Sequence, residues 1–351
     1  MTWRMPSETA PQQRVWMAFP PEGNTLGNNA QDAHEARSTW ANVAHAVAGF
    51  EPVTMVVDPA DARTARRYLS AEVGIIQAPL DDAWMRDIGP TFVTDERGRL
   101  GAVDWVFNGW GQQEWARWGK DKAVGALVAE CSGAELVSSS MVNEGGGIHV
   151  DGLGTVLVTE TVQLDPFRNP TMDKASVEAE LARTLGAQRV IWLPRGLTRD
   201  ALKFGTRGHV DIVATIPSPG VLLVHTQTDP SHPDFQVSED VLSVLSDTQD
   251  ATGARWEIRH VAAPATLRDA EGWVDYSYLN HLVVNGGVIA CSFDDPRDDA
   301  AREMLAAAYP GRAVVTVDAR PIFARGGGIH CITQQQPAAV DFPGERRTPT
   351  E

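Results

Sequence analysis

The chain has 351 residues, enough for two ordinary domains or one large closed one at roughly 150 residues per domain. Its 43% hydrophobic and 22% charged residues belong to a folded, water-soluble protein rather than a disordered one. A net charge of -16 repels phosphate backbones and argues against nucleic acid as a partner, while a small cationic compound suits it.

From the N-terminus, the spacing of apolar residues predicts a strand at Val15–Phe19, a helix over 32–48 and a strand over 52–57. Four hairpins are then expected, starting at Asp87, His149, His209 and Asn280. Turn chemistry supports them at Asp151-Gly152, Pro217 through Gly220 and Asn285-Gly286. Helices follow at about 119–131, 174–185, 238–249 and 297–308, and strands at about 135–139, 189–193, 255–260 and 313–318. A last strand at His330–Thr333 is expected to pair with Val15–Phe19, welding the two ends into a ring of five units with a repeat of roughly sixty residues. Apart from polar ends at 1–12 and 338–351, nothing resembles a linker, so one continuous domain is expected.

The N-terminus lacks a signal-like segment and no run approaches the length of a membrane span. Three widely separated cysteines, Cys131, Cys291 and Cys331, form no CxxC pair, which suggests neither a disulfide framework nor a thiolate zinc site. A reducing, cytoplasmic home is expected.

The run Gly145-Gly146-Gly147-Ile148-His149 recurs as Gly326-Gly327-Gly328-Ile329-His330, and glycines before a strand allow a close approach at the unit mouths. The mouth residues Asp87, His149, Asp151, His209, Asp211, Asn280, His281, His330 and Cys331 are therefore candidates to converge. Cys131 and Cys291 read as small core residues. Cys331, between a glycine run and Thr333-Gln334-Gln335-Gln336, reads as a nucleophile. On a strand, His209 and Asp211 would share one face. Two carboxylates suit a guanidinium, which is planar, permanently charged and edged with N–H donors. A metal site built from the same histidines and aspartates is the competing reading, but it leaves the cysteine without a role. A phosphate loop at GGGIH lacks the GxxxxGK[ST] pattern.

These residues resemble the agmatine deiminase family of the guanidine-modifying pentein superfamily. The resemblance runs over roughly residues 5 to 338 and includes DAWMRDIGPTFV, NGWGQ, NEGGGIHVDGLGTVLVTE, GHVD, NGGVIACSFDDPRD and GGGIHCITQQQP. It implies an α/β, five-bladed β/α propeller and hydrolysis of a small guanidino compound to a ureido compound and ammonia, without metal or organic cofactor. By the same resemblance Cys331 is the nucleophile that forms an amidino-cysteine, His209 the acid and base, and Asp87 and Asp211 the guanidinium grip. Trp84, Glu144, Arg207 and Gly328 are expected along the substrate.

Family members acting on agmatine usually carry an acidic residue four positions before the histidine, where Gly205 stands, and Asn or Asp where Arg207 stands. Thr9 and Pro21 through Asn24 depart as well. Arg207 is accordingly expected to favour a carboxylate-bearing tail. An amidinotransferase and a non-catalytic guanidine-binding protein are the alternatives, and self-association is left open.

Overall fold

A computed structural model describes residues 2–339; Met1 and residues 340–351, part of the polar ends noted above, lie outside the described residues. The N-terminal stretch is built into the fold: Trp3 and Met5 are buried, and Arg4 bridges to Thr94.

Five sheets of three or four strands carry the described residues, four of them made from neighbouring stretches of sequence and one joining both ends of the chain. The first combines β1 (Gln12–Ala18), β2 (Val53–Val57) and β3 (Gly74–Gln77) with the last strand of the chain, β18 (Thr333–Pro337). The second holds β4 (Thr91–Thr94), β5 (Leu100–Val106) and β6 (Glu135–Val142). The third holds β7 (His149–Val150), β8 (Thr155–Thr159) and β9 (Arg189–Leu193), and the fourth β10 (Ala214–Ser218), β11 (Val221–Thr226) and β12 (Glu257–Ala262). A two-stranded ribbon, β13 (Arg268–Asp269) and β14 (Gly272–Trp273), precedes the fifth sheet of β15 (Leu282–Val284), β16 (Gly287–Ser292) and β17 (Ala313–Asp318).

In each three-stranded sheet an antiparallel hairpin is followed by a helix and a parallel return strand. The central strands read as continuous apolar runs because both faces are covered: every residue of β8, TVLVT, is buried. The helices between bury one face each, and two of them have side-chain N-caps. Ala30–Ala48 starts at Asn29, whose side chain accepts from Gln31 N and Asp32 N, and Lys174–Leu185 starts at Asp173, which accepts from Ser176 N. Ends meet where β1 pairs antiparallel with β18, Met17 opposite Thr333 and Gln12 opposite Pro337.

The unit order expected from the sequence is present, with three local differences at the mouths. Thr333–Pro337, not His330–Thr333, forms the closing strand. Thr333 donates from its backbone N to His330 O and from its hydroxyl to Ile329 O, tying 329–333 into a turn. Asp87 lies on a helical turn, Met85–Ile88, rather than at a strand mouth. His209 precedes and Asp211 lies within a 3₁₀ turn, Val210–Ile212, ahead of β10, so the same-face argument for a strand does not apply to them. The cause is Asp200, whose carboxylate accepts from Thr206 N, the Thr206 hydroxyl, Gly208 N and His209 N at 2.6–3.0 Å. Amides committed to a side chain cannot join a ladder.

Candidate active site

These turns face one another. Arg86 N donates to Cys331 O at 3.0 Å and Arg86 Nε to His330 O at 3.2 Å, locking the Asp87 turn onto the cysteine turn. Asn280 fixes the thiol from the fifth unit: its Oδ1 accepts from His330 N and Cys331 N, and its Nδ2 donates to Cys331 Sγ at 3.3 Å. The Sγ lies 3.6 Å from Asp211 Oδ2.

At the centre is the space that Gly146 leaves open. A β-carbon built on Gly146 would lie 2.5 Å from His209 Nδ1 and 3.1 Å from both Asp211 Oδ2 and Asp87 Oδ1. The thiol wall is equally tight, since a β-carbon on Gly327 would lie 3.0 Å from Cys331 Sγ and 2.8 Å from the Trp84 ring. His209 Nδ1, which borders this space, and Asp211 Oδ1 are buried and have no hydrogen-bond partner among the described residues. In a buried site such atoms call for a polar occupant.

Each member is held from behind. Trp110 Nε1 donates to Asp87 Oδ2 at 2.9 Å and Gly146 N to Asp87 Oδ1 at 3.1 Å. His209 Nε2 donates to Glu144 Oε2 at 3.2 Å, and Glu144 is held by Arg168 Nε at 3.0 and 3.1 Å. Asp211 Oδ2 accepts from His330 Nδ1 at 2.9 Å, whose Nε2 bonds Glu8 Oε1 at 2.7 Å.

The electrostatics follow from this arrangement. Burial opposes charge on His209, but Asp87, Glu144 and Asp211 outweigh it and lift the imidazolium to about 9. Burial raises Asp87 to about 6, with Glu144 and Asp211 adding to the rise while His209 and Trp110 oppose it. Burial is overcome at Asp211, where His330 holds the carboxyl below its usual range. For Cys331, burial together with the Asp211 and Asp87 charges pushes the thiol well above its ordinary value. A cation entering the gap would relieve that repulsion.

Cys331, His209, Asp87 and Asp211 are therefore brought together, and Trp84 borders the thiol. The other candidates sit differently. Glu144, expected on the substrate, is fully buried with its oxygens taken by Arg168 and His209, which makes it a support for the histidine. Gly328 packs on Asn280 and Phe323, and its backbone N–H points at the sulfur, so its neighbour is the thiol rather than the substrate.

Arg207 is turned away into an ion pair with Asp165 at 3.1 Å, donates to Gly111 O at 3.2 Å and lies over the Phe167 ring, so it is not a spare cation for a substrate carboxylate. Gly205 leaves no room for a side chain: a β-carbon there would lie 1.9 Å from Asp200 O.

Of the remaining mouth residues, Asp151 closes its own turn through Leu153 N and Thr155 N. His149 accepts from Ile216 N, and His281 is wedged between Tyr278 O and the Tyr309 hydroxyl. No group of three or more His, Cys, Asp or Glu arranged to hold a metal ion occurs among the described residues, and no helix there is long and apolar enough to cross a membrane. Glu8 and Asp200 act on the site although neither was expected there, and Trp110, one of the tryptophans that could stack on a guanidinium, instead donates to Asp87. Glu8 lies outside the motifs quoted above, and Asp200 lies in a loop with no pattern of its own.

Known proteins resemble the chain over nearly its whole length. The family profile of Porphyromonas-type peptidyl-arginine deiminase matches residues 4–337. A presumptive agmatine deiminase of Streptomyces coelicolor is 55% identical, the match covering 96% of this chain and 99% of that protein. The agmatine deiminase of Pseudomonas syringae pv. tomato is 40% identical, with 96% of each covered. Among solved structures, the agmatine deiminase of Enterococcus faecalis superposes with a TM-score of 0.89 at 32% identity over 97% of both chains. With this mixed α/β pentein fold, the chain is a hydrolase acting on the C–N bonds of linear amidines. It belongs to the family of that profile, among the agmatine deiminases of the pentein superfamily.

Proposed function

We propose that this chain is a single catalytic domain, its five units set as blades around one site, which hydrolyses a small guanidino compound, agmatine foremost, to a ureido compound and ammonia. The observation that carries the reading is the gap at Gly146, where His209 Nδ1 and Asp211 Oδ1 are both buried without a partner beside Asp87 and the Cys331 thiol. A guanidinium supplies N–H donors and positive charge to the Asp87 and Asp211 carboxylates and sets one of its nitrogens against the His209 Nδ1 proton.

In this reading Asp87 and Asp211 grip the edges of the cation, and its arrival lets the Cys331 thiol lose its proton to solvent water, a proton that returns to the sulfur when the ureido product leaves. The sulfur adds to the central carbon, forming an S–C bond. His209, already an imidazolium, donates its Nδ1 proton to one nitrogen, the C–N bond breaks and ammonia leaves. The neutral imidazole then takes a proton from water, whose oxygen adds to the amidino carbon. Collapse expels the thiolate and releases the ureido product. Glu144 steadies the imidazolium from the far ring nitrogen, as second partners of catalytic histidines do. The three cysteines are unbridged, which suits a reducing cytoplasm.

A panel of agmatine, arginine and guanidinobutyrate assayed for ammonia without added amine tests the reading. Ammonia from agmatine is expected, with guanidinobutyrate poorer because Arg207 is engaged elsewhere. No ammonia unless an amine acceptor is added would favour amidino transfer instead.

The two shifted groups also define a pH window. His209 must be protonated to release ammonia, so activity should fall as pH rises through about 9. Asp87 must be ionised to hold the cation, so activity should fall as pH drops through about 6. A profile of kcat/KM against pH that rises steadily beyond 10 would contradict these roles.

A further inference from the structure

Two buried groups behind the site, His330 and Glu8, take part in no step of the reaction. His330 stands one residue before the reacting sulfur, and its ring lies between two carboxylates, with Nδ1 2.9 Å from Asp211 Oδ2 and Nε2 2.7 Å from Glu8 Oε1. Ionised carboxylates only accept, so both ring nitrogens donate and the ring is an imidazolium. The electrostatics agree. Burial and the Arg86 charge oppose the proton on His330, but Glu8 and Asp211 outweigh them and hold the ring above the ordinary histidine range. Burial also opposes charge on Glu8, yet His330, with His149 and Arg86 beyond it, holds that carboxyl well below its ordinary range.

Of the other titratable groups around the ring, none supplies a second anion on the Glu8 side. Arg86 is a cation 3.9 Å from Glu8 Oε1. His149 accepts from Ile216 N at its Nε2, which leaves its proton on Nδ1, 3.9 Å from Glu8 Oε1, and burial lowers that ring below its ordinary range. Burial takes His281 down to about 4 and raises the Tyr309 phenol, so both stay neutral. The Cys331 thiol is kept protonated by burial and by the Asp211 and Asp87 charges.

The oxygen that His330 holds is the one at the gap. Asp211 Oδ2 lies 3.1 Å from where a β-carbon on Gly146 would stand and 3.6 Å from Cys331 Sγ. A charged N–H on one side of this oxygen fixes the rotation of the carboxylate and favours its ionised form. Glu8 comes from the segment ahead of β1 and is seated by Gln12, whose Nε2 donates to Glu8 O at 2.9 Å.

We propose that Glu8 is a positioning residue for the guanidinium grip: through His330 it keeps Asp211 ionised and aimed at the gap, without touching substrate itself. The inference rests on the deiminase reading and adds to that site a residue of the N-terminal segment.

Glu8→Gln keeps the size and a hydrogen bond to His330 Nε2 but removes the charge. The His330 proton is then held less tightly and should leave as the pH rises from about 7 to about 9, so that Asp211 exchanges a charged donor for a neutral one. Measured as ammonia release from agmatine, the ratio of KM in the variant to KM in the wild type should grow roughly tenfold over that range, the gap between charged and neutral hydrogen bonds. The pH profile of kcat, set by Cys331 and His209, should be the same in both proteins. A KM ratio equal at both ends of the range, whether raised or unchanged, overturns the assignment, because a purely structural tie does not titrate. Wild-type protein that releases no ammonia from agmatine would instead overturn the deiminase reading, so the two failures are distinguishable. Should Glu8→Gln not fold, ¹⁵N-histidine spectra of the wild-type protein decide: the assigned His330 ring should carry both protons at about pH 8, and a neutral ring overturns the proposal.

Discussion

Cys331→Ala should reduce ammonia release by at least about 10³-fold, the scale seen when a covalent nucleophile is removed and only binding and electrostatics remain. Neither other thiol can substitute. Cys291 is buried, donates to Asn280 O at 3.1 Å and has its thiol lifted to about 12, first by burial. Cys131 is exposed on the helix Val124–Ser132, outside the set of side chains around Gly146. The same variant should keep its melting temperature within a few degrees, because a small buried side chain is exchanged for another. Residual turnover within tenfold of the parent would remove the sulfur from the mechanism.

Gly146→Ala is the second large effect, and it needs no change in chemistry. Gly146 is not among the glycines with a positive φ, so alanine meets no backbone penalty there. Its methyl would nevertheless lie 2.5 Å from His209 Nδ1 and 3.1 Å from two carboxylate oxygens, in the space assigned to the guanidinium. Displacements of about 1 Å in such a constellation cost about a hundredfold in rate, so a fall of that size or more in kcat/KM is expected. Thermal unfolding should shift little beside that loss. Near-normal activity in this variant would mean that the substrate binds elsewhere.

How much of this was legible beforehand differs between scaffold and site. The strands Arg189–Leu193 and Ala313–Asp318 and the helix Lys174–Leu185 carry clear apolar periodicity and turn or cap residues, and the structure has them at those positions. The mouths were less readable, because their shape is set by long-range side-chain bonds. Asp200 gathering the amides of 206–209 turns an expected strand into a 3₁₀ turn, and Arg86 binding the carbonyls of 330 and 331 delays the closing strand. Nothing local in HVDI or IHCIT announces either partner.

Residue type conveyed the chemistry better than geometry. A thiol, an imidazole and two carboxylates, each beside a glycine or at a unit mouth, were enough to nominate the set that surrounds Gly146. The supporting residues were assigned less well, since their roles depend on who faces them. Glu144 reads as a substrate contact until Arg168 and His209 are seen on its two oxygens, and Arg207 reads as a free cation until Asp165 is seen beside it.

The central claim is a covalent bond between the Cys331 sulfur and the guanidine carbon, and it can be observed directly. Protein mixed with agmatine, quenched in acid during turnover and digested, should yield the peptide carrying Cys331 with the added mass of one amidino group, absent from Cys331→Ala and from protein given putrescine instead. Active turnover with that peptide unmodified, or the added mass on Cys131 or Cys291, would contradict the account.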